Sequence, residues 1–267
     1  MRIDAWLRQS ADALKAADVP SYRLDVELLL CSVLSKDRTY LHAHGDESLE
    51  GSNLQRANEY LRRREKRTPI AYILGRKEFY GREFTVTPYV LIPRPETETL
   101  IELIEELDLP PEAHIADIGT GSGAIAITLK LSEPHRRVYA TDISPEALAI
   151  ARENARNLSA DVVFLQGDLL KPLRNPVDLI VANLPYVDPE WERSPETAFE
   201  PELALFAGNH GLALIDKLIQ QAPPLLTEQG YVLLEADPEQ HPAIISFAQQ
   251  NSLRHIRTEG YAVLLQR

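Results

Sequence analysis

Apolar positions in the first ~65 residues recur at the spacing of a helix face. Ile3, Trp6, Leu7 and Leu14 form one such set, and Leu24, Leu28 and the apolar residues around Cys31 form another. Residues 49–66 read as a polar-faced helix, with Arg62, Arg63, Arg64, Lys66 and Arg67 at its end and Pro69 as the stop. Across 70–93 the pattern turns extended. Glu78-Phe79-Tyr80 and Glu83-Phe84-Thr85-Val86 flank Gly81-Arg82, which predicts a hairpin with glycine first in a two-residue turn. Beyond Pro95, short apolar strands alternate with helices. Strands are expected at 115–118, 138–141, 162–165, 179–182, 231–235 and 261–265. Helices are expected at 124–131, after Ser144-Pro145, at 212–221 and at 238–250. Ser144 suits a cap and Pro145 the first helical position. The alternation predicts an α/β fold, a mainly parallel sheet with helices on both faces.

Composition adds mainly exclusions. The 267 residues are 44% apolar and 25% charged, as in ordinary globular proteins. No long uncharged apolar run suggests a membrane span. Residues 1–10 carry Arg2, Asp4 and Arg8 and lack an apolar signal core, so a cytoplasmic protein is expected. Cys31 is the single cysteine and cannot close an internal disulfide or build a cysteine zinc site. His42 and His44 are the only close histidine pair, and residues two apart do not share a helix face, so no metal is expected. Charge is uneven. Residues 1–95 hold 16 basic and 13 acidic side chains, a balance of +3, which leaves −15 of the total −12 on the remainder. So acidic a second half argues against a large phosphate-backbone footprint. The basic run at 62–67 reads either as a solvated helix face or as a docking surface for a partner.

Candidate chemistry begins at Asp117-Ile118-Gly119-Thr120-Gly121-Ser122-Gly123, between a predicted strand and a helix. Glycines there allow a tight turn and close approach of backbone to a ligand. One residue separates Gly121 from Gly123, where the dinucleotide fingerprint has two. Asp117 would repel a pyrophosphate but suits a cation, such as the ammonium and sulfonium end of S-adenosylmethionine. Asp142, ending the next strand, can accept from both ribose hydroxyls; alone it would be a strand-end acid. Asp168 could accept from an adenine amino group with Leu169 flanking the ring, or the two could form a plain surface turn. Asn183-Leu184-Pro185-Tyr186 follows the fourth strand. The Asn183 side chain and the Leu184 carbonyl can accept both hydrogens of one planar NH₂ group. Pro185 stiffens the loop, and Tyr186 can stack on the planar target. No histidine or carboxylate is required as a base.

These elements resemble Rossmann-like S-adenosylmethionine-dependent methyltransferases acting on planar nitrogens. The whole chain resembles the bacterial release-factor glutamine methyltransferase family. Pro69-Ile70-Ala71-Tyr72-Ile73-Leu74-Gly75, Glu78-Phe79-Tyr80-Gly81 and Val90-Leu91-Ile92-Pro93-Arg94-Pro95-Glu96-Thr97-Glu98 carry the likeness. Glu200-Pro201, Ala204-Leu205 and Gly211-Leu212 extend it. The resemblance implies a helical substrate-recognition domain over 1–67, a β-hairpin linker over 68–95 and a Rossmann-like methyltransferase domain over 96–267. It implies S-adenosylmethionine as cofactor and the glutamine of the Gly-Gly-Gln motif of class 1 release factors as acceptor. It places Arg94, Thr97 and Glu200 in family-specific stretches. Leu184 stands where the family usually has proline, a form shared with ribosomal RNA adenine dimethylases. Arg257-Thr258-Glu259-Gly260-Tyr261 is shorter than the family's usual ending. The competing readings are an RNA adenine methyltransferase, a nicotinamide-dependent dehydrogenase and a non-enzymatic binding module. Charge, glycine spacing and the intact Asn183 and Tyr186 oppose them in turn.

Overall fold

The computed structural model describes residues 1–267, which divide into two compact units. The first comprises Met1–Gly75 together with Ser194–Phe199. Its helices are α1 (Ile3–Ala16), α2 (Tyr22–Leu34), α3 (Arg38–Ala43), α4 (Gly51–Glu65) and the short α5 (Ile70–Leu74). Ile3, Trp6, Leu14, Val26, Leu30, Leu41 and Ala57 meet in its core. Two features depart from the sequence pattern. In α2 the buried face is Asp25, Val26, Leu29, Leu30 and Val33, while Leu24 is exposed. Asp25 turns inward because Arg64 of α4 reaches it at 2.6 Å in a buried ion pair. Residues 70–74 are helical rather than extended, ending on Gly75 in the left-handed region.

Three of the five residues of the basic run are engaged inside this unit. Arg64 also reaches Glu196 at 2.9 Å, Arg67 bonds both oxygens of the same carboxylate, and Arg63 donates to the Tyr72 carbonyl. Burial pushes Glu196 up, but the Arg67 and Arg64 guanidiniums outweigh it and hold its pKa at about 2. A uniformly solvated face therefore does not describe this stretch; within the run only Arg62 and Lys66 are exposed.

The second unit comprises Arg76–Arg193 and Glu200–Arg267. It opens with the hairpin β1 (Arg76–Phe79) and β2 (Arg82–Thr85), in which Phe79 pairs with Arg82. The turn residues are thus Tyr80 and Gly81, one position earlier than the sequence suggested. Both have positive φ (49° and 73°), as a primed turn needs. The Glu98 carboxylate accepts from the Tyr80 N–H and the Glu78 carboxylate from the Gly81 N–H, which holds this register.

Helix α6 (Glu98–Glu105) leads into β3 (His114–Ile118), α7 (Ala124–Ser132), β4 (Arg137–Asp142), α8 (Pro145–Asn157), β5 (Val163–Gln166) and β6 (Val177–Ala182). Then follow α9 (Ala213–Gln221), β7 (Leu226–Glu235), α10 (His241–Gln250), β8 (Arg254–Glu259) and β9 (Ala262–Gln266). Ser144 caps α8 by accepting from the Ala147 N–H, as expected. The seven strands lie in the order β5-β4-β3-β6-β7-β9-β8, parallel except around β9. The terminal β8–β9 pair is complete despite the shortened ending.

Alternation along the strands builds a core on each face. Ile118, Ile180, Ala182, Val232 and Leu234 share one with Ile215 and Ile219 of α9 and Ile244 of α10. Ile115, Leu179, Val181 and Leu233 share the other with Ile101 of α6, Ile127 of α7 and Ala155 of α8. Helices therefore cover both faces of an α/β sheet. The chain runs from β3 outward to β5, then returns to the far side of β3 for β6. That reversal opens a crevice at the carboxyl ends of β3 and β6, where such sheets take ligands. No helix is long and apolar enough to cross a membrane.

Candidate active site

A cleft lies at this switch point. Its wall includes Gly119, Thr120, Gly121 and Ser122 after β3, Asp142 after β4, Asp168 and Leu169 after β5, and Asn183, Leu184 and Pro185 after β6. Four strand ends thus deliver the residues singled out in the sequence. Arg94 and Thr97 line the cleft too. Tyr89 and Leu203 also line it; both are 61% exposed, unusually open for large apolar side chains.

Gly119 has φ +73°, and a Cβ there would sit 2.9 Å from Leu184 Cδ2. The turn therefore needs glycine both for its backbone and for the leucine packed on it. Gly121 also has positive φ, and a Cβ on it would meet nothing within 4 Å, so its face is open for a ligand. Gly123 ends the turn in the left-handed region and begins α7.

Asp117 is not part of the cleft wall. It is buried beneath the turn, where its Oδ2 accepts from Thr120 Oγ1 at 2.6 Å and from the Ala126 N–H at 3.2 Å. Its Oδ1 has no partner. Burial drives its pKa up to about 7, the two hydrogen bonds oppose this, and the nearby Asp142 charge adds to it. A buried carboxylate with an orphaned oxygen fits a site that receives a cation.

Asp142 has two tasks. Oδ2 accepts from the Gly121 N–H and Oδ1 from the Ser144 N–H, each at 2.9 Å, which ties the glycine turn to the end of β4. Each oxygen retains acceptor capacity for a ligand hydroxyl. Burial raises the Asp142 pKa against these backbone bonds. Asp168 has both Lys171 (2.8 Å) and Lys217 (2.6 Å) on the same oxygen, Oδ2. These lysines hold its pKa below the usual carboxylate range. The bond at Oδ2 leaves Oδ1 for a donor on a ligand. Leu169 is buried with φ +51°, and its carbonyl accepts from Thr141 Oγ1.

Asn183 Nδ2 donates to Thr97 Oγ1 at 3.0 Å. No protein donor bonds to Asn183 Oδ1 or to the Leu184 carbonyl. Leu184 is 4% exposed and its side chain packs in the core, so the polar group it can offer a ligand is its backbone carbonyl. Tyr186 does not reach the cleft wall; its hydroxyl donates to Glu235 Oε1 at 3.2 Å, and its carbonyl accepts from Gln240 Nε2 at 2.8 Å. Burial and the Glu235 carboxylate raise its phenol pKa far above the usual tyrosine range. Glu200 bridges the site's rim, accepting from the Ile92 N–H and pairing with Arg94.

Three supporting residues escaped sequence reasoning. Asn154 of α8 donates to the Thr85 and Ser122 carbonyls and accepts from the Thr85 N–H, joining β2 to the glycine turn. Gln240 fixes the loop after Pro185. Glu235 is a buried acid closing the apolar run Val232-Leu233-Leu234 at the ligand end of β7, and that placement was the available signal.

Residues 5–75 match the PrmC N-terminal domain family, and residues 97–198 match the methyltransferase small domain family. A methyltransferase structure from Pyrococcus furiosus shares the fold at a TM-score of 0.55 and 19% identity, covering 71% of this chain and 91% of that one. The fold is thus that of a Rossmann-like methyltransferase with a helical N-terminal domain. The release factor glutamine methyltransferase of Deinococcus radiodurans is 40% identical over 98% of this chain and 92% of its own length. That of Koribacter versatilis is 44% identical over 87% and 88%. The chain belongs to the release factor glutamine methyltransferase family.

Proposed function

We propose that this protein transfers a methyl group from S-adenosylmethionine to the side-chain amide nitrogen, N(5), of the glutamine in the Gly-Gly-Gln motif of class 1 release factors, in the cytoplasm. One observation carries the chemistry: Asn183 Oδ1 and the Leu184 carbonyl are adjacent acceptors, both without protein donors, beside the switch-point cleft. S-adenosylmethionine supplies an electrophilic methyl carbon on a sulfonium. Asp142 would hold the ribose hydroxyls while fixing the turn. Asp168 Oδ1 and Leu169 would receive the adenine, and Asp117 would place negative charge beneath the cofactor's cationic end.

An amide nitrogen is a poor nucleophile because its lone pair is delocalised. Two fixed acceptors on its hydrogens align that nitrogen and favour the positive charge that develops there during attack. The proton then leaves to solvent, and no side-chain base is needed. Pro185 restricts the loop that carries both acceptors. The N-terminal helical unit would recognise the body of the release factor, and the exposed Tyr89 and Leu203 would meet its loop.

The test is incubation with labelled S-adenosylmethionine, a purified unmethylated release factor and ribosomal RNA, with the label mapped afterwards. Label is expected on the Gly-Gly-Gln glutamine alone. Label on RNA adenine, or none on the release factor, would overturn the assignment.

A further inference from the structure

Glu235 is 2% exposed and does not line the cleft. Its Oε1 accepts from the Tyr186 hydroxyl. Its Oε2 has no hydrogen-bond partner, and Thr97 and Asn183 are near enough to the carboxylate to lower its pKa. Burial raises the Glu235 pKa, and the donors of Thr97, Tyr186 and Asn183 oppose that rise. A buried acid is costly unless donors compensate it, so its retention here needs a reason.

The reason lies in the hydrogen-bond inventory. A threonine hydroxyl has one proton. Thr97 Oγ1 already accepts from Asn183 Nδ2, so its own proton is free to point at the carboxylate. An ionised carboxylate can only accept. A Thr97 proton turned to the unpartnered Glu235 Oε2 would fix the direction of the chain: Asn183 N–H to Thr97 oxygen, Thr97 O–H toward Glu235. The two ends of an asparagine amide are nearly the same shape, and only such a network decides which faces where.

We propose that Glu235 is a positioning residue that acts through Thr97 to fix the Asn183 amide, so that Oδ1 and not Nδ2 faces the substrate nitrogen. This rests on the reading above, in which Asn183 accepts from the glutamine NH₂. With a neutral amide at 235, a donor would face Thr97. Its hydroxyl could then turn its proton to Asn183 Oδ1. The flipped Asn183 would present N–H groups to the N–H groups of the substrate, and the clamp would be lost with every side chain still in place.

The experiment compares Glu235→Gln, Asn183→Ala and the double variant in steady-state methylation of a release factor, with S-adenosylmethionine affinity measured by calorimetry. Glu235→Gln should lower kcat on the order of 100-fold, the cost of one preorganised acceptor. KM and cofactor affinity should stay within about threefold. The double variant should be no worse than Asn183→Ala beyond about threefold, because both lesions remove one interaction. Thr97→Val gives the same readout should Glu235→Gln fold poorly, and Thr97→Ser, which keeps the hydroxyl, should recover at least tenfold over it. A Glu235→Gln kcat within about threefold of wild type would overturn the proposal, as would losses that multiply in the double variant. Wild-type protein that leaves release-factor glutamine unmodified would instead overturn the function on which it rests.

Discussion

Asp117 carries a pKa of about 7 because it is buried, so near neutrality it is poised between charged and neutral forms. In the native state it keeps a proton that the unfolded chain, with an ordinary value of 3.8, has released. Its contribution to stability therefore falls as pH rises between 3.8 and about 7. A cationic ligand reverses the preference and favours the carboxylate. Affinity for S-adenosylmethionine should thus rise roughly threefold to tenfold from pH 5.5 to 7, below the range where an α-amino group titrates. Asp117→Asn should flatten that rise. Equal dissociation constants at both pH values by calorimetry would dispose of the electrostatic role. Asp142 and Asn183, which line the cleft, were legible in the sequence because each is a polar residue at or just after the end of an apolar strand, whereas Asp117 lies beneath the turn rather than in the cleft wall. Thr97 and Glu235 were not legible as partners. They meet Asn183 and Tyr186 across 86 and 49 residues, and nothing local announces such a pairing.

Elements were read well where one periodicity decides them and poorly where a partner does. The strands at 115–118 and 179–182 fall inside β3 and β6 because each is a short, mostly apolar run buried on both faces. The hairpin slipped by one residue because side chains from elsewhere, not the glycine alone, chose the turn. The face of α2 was misjudged because it includes a charge. Asp25 and Arg64 have side chains only 4% and 6% exposed, and pairing compensates a desolvation neither could bear alone. Asp25→Ala should therefore cost about 3 kcal/mol, since Arg64 would be left buried with Glu196 alone. Urea unfolding of the full chain, followed by circular dichroism, measures this. A loss under about 1 kcal/mol would show that the pair contributes no more than a surface ion pair does.

Across the whole molecule, charge separates along the chain, +3 over residues 1–95 and −15 after them. Arg63, Arg64 and Arg67 are engaged within the N-terminal unit, so the basic run offers fewer free cations than its composition implies. Arg62 and Lys66 remain exposed, and neither has an ion-pair partner nor lines the cleft. Two free cations four residues apart suit acidic groups on a partner. Exposed charges that do not line the cleft change encounter more than chemistry, and salt screens them. Reversing both, as Arg62→Glu with Lys66→Glu, should raise KM for an intact release factor by roughly tenfold at low salt. The penalty should shrink toward threefold or less as ionic strength approaches ~0.5 M, where screening falls to a few ångströms. Cofactor affinity should not change, and neither should kcat at saturating substrate. An unaltered KM at low salt would remove this face from recognition and leave the exposed apolar rim of Tyr89 and Leu203 as the surface to test next.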